Sequence, residues 1–310
     1  MNRDTASLFD KIKLYIPEDR LFRDEPMHRH TTFRVGGRAS LYVRVASSDE
    51  LIQVINTAKS TSTDFFLIGN GSNLLVSDEG FDGIIIELGE SMSEINVCGN
   101  KLICEAGALL GRISSVAAKN ALEGLEFASG IPGTLGGGLA MNAGAYGGEL
   151  ATVVETVCVL DPSDMSIKTY EASELNFGYR QSRIKSEGLI VILATLNLKA
   201  GDEETIRERM AEYSRRRRDK QPLEYASAGS TFKRPEGQYA GALIEAAGLK
   251  GLTVGGAEVS RKHAGFVINK GGATAKDIYE LIGIVQKRVL NNSGILLEPE
   301  VIMLGFDRID

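Results

Sequence analysis

Apolar positions along this chain recur with two different periods, and each predicts its own element. Leu41, Val43 and Val45 alternate with Tyr42 and Arg44, the period-two pattern of a half-buried strand. Residues 49–60 then read as an amphipathic helix, with Ser47 or Ser48 as its cap. Short apolar runs predict strands over 65–68 and 84–88. Residues 95–104 predict a hairpin turning at Gly99-Asn100, and 109–120 a helix ended near Gly124. Further strands are expected over 156–160 and 189–198. A charged helix over 202–220, bounded by Pro222, opens the last part of the chain. It is followed by a helix over 240–247 closed by Gly248, a strand near 266–269, a helix over 275–291 and a strand over 301–304. In that last helix Ile278, Leu281, Ile282, Val285 and Val289 form a buried stripe, and Thr274 with Asp277 has the spacing of a capping box. No internal repeat or low-complexity segment interrupts this order.

Composition narrows the class. The chain has 310 residues, more than one hydrophobic core usually organises, so two or three domains are expected. Hydrophobic residues make up 43% and charged residues 25%, an ordinary globular balance. A formal net charge of −6 disfavours a nucleic-acid or membrane-surface binder. No stretch approaches the ~20 apolar residues of a membrane span, and residues 1–10 lack a signal-peptide pattern. The three cysteines, Cys98, Cys104 and Cys158, are odd in number and include no Cys-x-x-Cys pair, so a reducing cytoplasmic setting is expected. They fall in strand patterns and read as core residues. With only His28, His30 and His263, no metal site is expected.

Two glycine-rich stretches carry the first candidate chemistry. Gly69-Asn70-Gly71-Ser72-Asn73 follows directly on a strand and runs into an extended segment beginning at Leu74. Glycines let such a turn adopt positive φ and bring N–H groups up to a phosphate. No helix opens after Gly71 and no Lys follows, which removes the Rossmann and P-loop readings. The second stretch, 130–148, has eight glycines in nineteen residues. It also holds Ile131, Leu135, Leu139, Met141 and Tyr146, so it reads as an ordered loop rather than a linker. Close approach of backbone to a flat or phosphate-bearing ligand accounts for that mixture.

Three polar segments lie downstream: Tyr179-Arg180-Gln181-Ser182, residues 228–235 around Ser230, and Leu297-Glu298-Pro299-Glu300-Val301. Ser230 lacks a Gly-x-Ser-x-Gly elbow and has only His263 as a base in this half, so hydrolase chemistry is the weaker reading. Proton donation or a plain turn remain open for it. The run Arg215-Arg216-Arg217-Arg218 ends a helix, where cations complement the dipole, so a solvated face is its default, with a phosphate contact by one or two of them as the alternative.

Taken together, residues 32–37, 69–76, 130–149, 177–182, 228–235, 263–269 and 297–301 resemble the UDP-N-acetylenolpyruvoylglucosamine reductase family, in order and over nearly the whole chain. The resemblance implies an α+β fold: a two-subdomain FAD-binding domain, vanillyl-alcohol-oxidase-like and not Rossmann, over 1–90 and 91–200, and an α/β substrate-binding domain over 201–310. It implies FAD and NADPH as cofactors and UDP-N-acetylglucosamine enolpyruvate as substrate. NADPH reduces the flavin, whose N5 passes a hydride to the enolpyruvyl group to give UDP-N-acetylmuramate.

The residues carried over by the resemblance fall into three sets. Arg180 would pair with the substrate carboxylate, Ser230 would protonate the carbon α to it, and Glu300 would assist there. Gly69, Asn70, Gly71, Ser72, Asn73, Leu74, Gly130, Pro132, Gly133, Thr134, Gly136, Gly137, Asn142 and Gly144 would hold FAD. Tyr146, Tyr179, Lys220, Arg234 and His263 would face the UDP-sugar. Arg234 stands where some members have Asn. The short span from Arg180 to Ser230 places the chain in the branch without the tyrosine-bearing loop. A monomer is expected. The rivals are a flavin oxidase on the same scaffold and a non-catalytic nucleotide-sugar sensor.

Overall fold

The computed structural model describes residues 3–306; the reading of residues 1–10 lies partly outside that range. Two compact units emerge, and neither is one continuous block of sequence. The first comprises the chain up to Phe22, Tyr42–Asn70 and Ile85–Arg217; the second comprises Arg23–Leu41, Gly71–Ile84 and the chain from Arg218.

A four-stranded sheet has the order Leu21–Pro26, Arg38–Arg44, Phe81–Glu87, Phe65–Ile68. The expected strand is present, but it is not half-buried: Tyr42 is as fully buried as Leu41, Val43 and Val45, and only Arg44 of the alternate positions reaches solvent. The helix behind it is Ser48–Ser60, capped by Ser47, whose side chain accepts the Glu50 N–H. Leu21–Pro26 was not legible: it is an edge strand of low apolar content, ending at a proline that an edge tolerates.

The first unit is built on an antiparallel five-stranded sheet in the order Ser166–Glu171, Val154–Asp161, Ile190–Asn197, Lys101–Glu105, Ile95–Cys98. Its two middle pairings set Val157 opposite Ala194 and Ala194 opposite Cys104, and all three are buried in one core. Cys104 is thus a core residue as expected. Cys98, by contrast, is exposed, because it sits at the outer strand beside the Gly99-Asn100 turn. Ile113 and Ala117 of the Leu110–Lys119 helix pack on the same core.

The second glycine stretch is not wholly a loop. Leu135–Ala140 forms a short helix despite three consecutive glycines, each of which costs about 1 kcal/mol relative to alanine. Packing overrides that propensity. A Cβ on Gly136 would lie 3.3 Å from Ala106, and one on Gly138 would lie 3.0 Å from both Leu110 and Leu150. A side chain at either position would press these neighbours by a few tenths of an ångström, so glycine suits this close packing.

The second unit carries its own core. The helix Ala275–Ser293 buries Ile278, Leu281, Ile282, Val285 and Val289, as the stripe predicts. Its capping box is present: Thr274 and Asp277 exchange side-chain-to-backbone hydrogen bonds, both 3.0 Å. A three-stranded sheet, Thr253–Val254, Ala257–Val259, Val267–Asn269, packs with it. Phe33, Val35 and Leu75 enter the same core from the N-terminal half of the chain. Leu74–Val76 pairs in parallel with Ile302–Leu304. The Asp78 carboxylate then accepts the N–H groups of Ala275 (2.9 Å) and Lys276 (2.8 Å), placing a negative charge at the start of the long helix.

Candidate functional site

In the first unit the two glycine stretches meet. A Cβ on Gly69 would fall 2.2 Å from Thr134 Oγ1, so only glycine permits that approach. The Asn70 side chain donates to the carbonyl of Pro132. Leu135 and Gly136 spend their N–H groups on the carbonyls of Ala108 and Ala106, both at 2.8 Å. Gly136 is therefore a packing glycine. Around Gly137 a Cβ would meet only Thr134 Oγ1, at 3.8 Å, which makes it the open glycine of this helix. Gly144 is required by its hairpin, since a Cβ there would approach the Gly148 carbonyl oxygen to 2.6 Å.

The Glu203–Lys220 helix brings a face to this stretch that its charge had concealed. Ile206, Arg209, Tyr213 and Arg217 recur at helical spacing. Ile206 is buried, and Arg209 pairs with Glu123 (3.1 Å) and Glu126 (3.2 Å). Tyr213 stacks on Tyr146 with centroids 4.7 Å apart. The guanidinium of Arg217 lies against Gly130, where a Cβ would be 2.7 Å from its Nη1, and its Nε is buried with no hydrogen-bond partner among the described residues. The arginine run is therefore divided. Arg215 and Arg216 pair with Glu212 on the exposed side, whereas Arg217 points inward. The signal was the spacing from 206 to 217, which the run of like charges masked.

Arg180 also belongs to the first unit. It is half-buried at the tip of a turn, beside the exposed ring of Tyr179 (5.1 Å to the centroid). Tyr146 is partly exposed and has φ +53.

In the second unit Ser230 and Glu300 are brought together. Glu300 N–H donates to the Thr231 carbonyl (2.8 Å), and Lys233 N–H to the Glu298 carbonyl (2.9 Å), with an antiparallel bridge between Phe232 and Pro299. The Lys233 and Glu298 side chains form an ion pair on the same ladder. The end of the first glycine loop joins the other side: Asn73 Nδ2 donates to the Glu300 carbonyl (3.0 Å), and Ile302 N–H to the Asn73 carbonyl (3.0 Å). Leu74 is buried in its strand. Ser230 is exposed, between the open Gly229 (φ +77) and the fully buried Thr231.

Thr231 anchors this turn. Its N–H donates to Gly265, and its Oγ1 accepts the Val267 N–H, both at 2.9 Å. Thr231→Val keeps the shape and strands a buried donor, so it is expected to cost about 1–3 kcal/mol in urea unfolding.

Lys220 and Arg234 are exposed, with Arg234 lying over the Tyr239 ring (4.8 Å). His263 is half-buried edge-on to Phe266, and its Nδ1 accepts the Gly265 N–H (3.1 Å), which leaves the ring proton on Nε2. Burial pushes its pKa below the ordinary 6.5, with Lys250 acting in the same direction. The unfolded chain therefore binds this proton more readily than the folded one. The contribution of His263 to stability is present above pH 6.5 and is lost as pH falls below it. His263→Gln is expected to flatten the fall of the urea midpoint over that acid window.

His28 and His30 are not simple surface residues throughout, for His30 is tucked against Glu25 (2.9 Å). Burial pushes the Cys104 thiol up to about 12, which leaves it inert. No helix among the described residues is long and apolar enough to cross a membrane.

The close approach at Gly69, the open Gly137 and the buried guanidinium edge of Arg217 fit an anionic, phosphate-bearing group in the first unit. Comparison with known proteins agrees. Residues 39–168 match an FAD binding domain, and residues 221–304 match the C-terminal domain of UDP-N-acetylenolpyruvoylglucosamine reductase. The UDP-N-acetylenolpyruvoylglucosamine reductase of Caldanaerobacter subterraneus is 49% identical over 96% of this chain and 98% of its own. The crystal structure of the Thermus caldophilus enzyme of that name superposes with a TM-score of 0.78 at 39% identity, over 90% of this chain and 97% of its own. A 4-ethylphenol oxidase from Gulosibacter chungangensis shares the fold alone, with a TM-score of 0.50 at 13% identity over 64% of this chain and 43% of its own. The α+β, non-Rossmann flavin scaffold is thus established, and the chain belongs to the UDP-N-acetylenolpyruvoylglucosamine reductase family.

Proposed function

We propose that Arg180, Ser230 and Glu300 divide between them the work of reducing an enolpyruvyl ether. As a member of its family the chain is an FAD-dependent oxidoreductase that uses NADPH to reduce UDP-N-acetylglucosamine enolpyruvate in peptidoglycan precursor synthesis. Bound FAD supplies hydride transfer from NADPH to the substrate. Gly69, Asn70 and the 130–144 stretch would hold its phosphates, with Arg217 as a neighbouring cation. Gly71, Ser72 and Asn73 would add further donors, as the family resemblance implies.

Hydride addition pushes negative charge onto the substrate carboxylate. The Arg180 guanidinium meets it in a bidentate pair, fixed in place before the charge develops. Ser230 supplies the proton to the carbon α to that carboxylate. Glu300 assists at the same carbon. The observation that carries this assignment is the ladder that puts residues 231–233 beside 298–300, so that an exposed serine and a glutamate of distant sequence share one edge. Tyr146, Tyr179, Lys220 and Arg234 face the UDP-sugar in this reading. His263 contributes there as a neutral donor. Residues 1–90 and 91–200 serve the cofactor and 201–310 the substrate, in a cytoplasmic monomer of the branch without the tyrosine loop.

The test is stoichiometry. With oxygen excluded, each NADPH consumed should yield one product two hydrogens heavier than the enolpyruvyl substrate. NADPH consumption that ignores the substrate and generates peroxide in air would instead support an oxidase.

A further inference from the structure

A strained backbone position lies where the proposed carboxylate partner sits. Gly178 and Gln181 exchange both backbone hydrogen bonds, at 3.0 and 3.2 Å, which leaves Tyr179 and Arg180 as the two turn residues. Arg180 has φ +54 at a turn position that favours glycine or asparagine. A long side chain keeps that conformation only where its surroundings over-determine it, and such outliers point to function.

The surroundings are identifiable, and both ends of the turn are tied to the residues that close the glycine helix. Asn142 Nδ2 donates to the Gly178 carbonyl (3.1 Å), while its Oδ1 accepts the Ala151 N–H (3.0 Å). Ser182 Oγ donates to the Ala140 carbonyl (2.8 Å). Asn142 is 1% exposed. Its amide makes a hydrogen bond at each end, so the side chain ties two parts of the protein together. Its own φ of +42 suits asparagine better than most residues.

We propose that Asn142 is a positioning residue for Arg180. Its amide sets the Tyr179–Arg180 turn against the glycine stretch, and so sets where the guanidinium meets the substrate carboxylate. The proposal rests on the reading of Arg180 as the carboxylate partner. Only an amide fits this role: one end must give a hydrogen to a carbonyl and the other must take one from an N–H. Asn142→Asp keeps the acceptor and loses the donor. Asn142→Gly removes the group while tolerating the positive φ.

The experiment uses the holoenzyme carrying Asn142→Asp, Asn142→Gly, Arg180→Ala and the two double substitutions. Anaerobic stopped-flow gives the rate of flavin reoxidation by UDP-N-acetylglucosamine enolpyruvate. Each rate is divided by the same variant's rate of flavin reduction by NADPH, so that losses of fold or flavin content cancel. The Asn142 variants should lower this ratio about 10- to 100-fold, the scale of a misplaced reacting group. In the Arg180→Ala background they should lower it no further, because the group they position is gone. An equal drop with and without Arg180, or no drop at all, overturns the proposal. If Arg180→Ala alone leaves the ratio unchanged, the carboxylate-partner reading has failed, and positioning through Arg180 is overturned with it.

Discussion

Ser230→Ala is expected to slow the return of oxidised flavin by about 10²- to 10⁴-fold, the usual loss on removing a general acid, while reduction by NADPH stays within about threefold. The asymmetry follows from where the residue sits. Ser230 is exposed, so removing its hydroxyl uncovers no core. The turn is held instead by Thr231, through Gly265 and Val267. Removing the hydroxyl therefore deletes chemistry and leaves structure in place. Rapid anaerobic mixing of the reduced variant with substrate checks it. Equal losses in both half-reactions would assign Ser230 to the scaffold, and Ser230→Cys, which retains a proton, should recover part of the rate.

Gly71→Ala is expected to cost about 4 kcal/mol or more, the range reserved for steric failure in a core or a strained turn. The added Cβ would stand 1.9 Å from the carbonyl oxygen of His30. That carbonyl has no room to withdraw. The His30 N–H is bonded to Met27 and its ring to Glu25, Thr31 Oγ1 is bonded to the Val35 carbonyl, and Thr32 N–H returns to Gly71 itself. Beneath this knot Phe33 and Leu75 enter the core of the second unit. The φ of +57 adds a left-handed penalty of about 1–2 kcal/mol. Gly272→Ala is the control: its φ is +71 but nothing lies within 4 Å, so only the conformational cost should remain. Urea unfolding of the two variants separates the clash from the dihedral.

The parts of the fold that were legible in sequence are those whose determinants are local. The 275–293 helix announces itself through its stripe, its capping box and a left-handed Gly294 at its end. The 95–98 and 101–105 strands are marked by their turn. The illegible parts depend on contacts distant in sequence. Three glycines in a row predict a loop, yet they form a helix whose first and third glycines pack closely on Ala106, Leu110 and Leu150. Phe33 and Leu75 read as N-terminal residues, yet they pack with Ile278 and Val285. The sequence allowed one or two of the four arginines a phosphate contact but not which, because the choice rests on the 206–217 face that carries Arg217 to Gly130. The candidate site divides in the same way. Family spacing named Arg180, Ser230 and Glu300, but nothing local shows that a backbone ladder joins the segments of the last two, or that Arg180 stands in a strained turn held by Asn142 and Ser182.

The purified holoenzyme is titrated with NADPH in the absence of oxygen until its flavin absorbance is bleached, and UDP-N-acetylglucosamine enolpyruvate is then added. The oxidised spectrum should return in full, one flavin per substrate molecule, before any air is admitted. A spectrum that stays bleached until oxygen enters would contradict it.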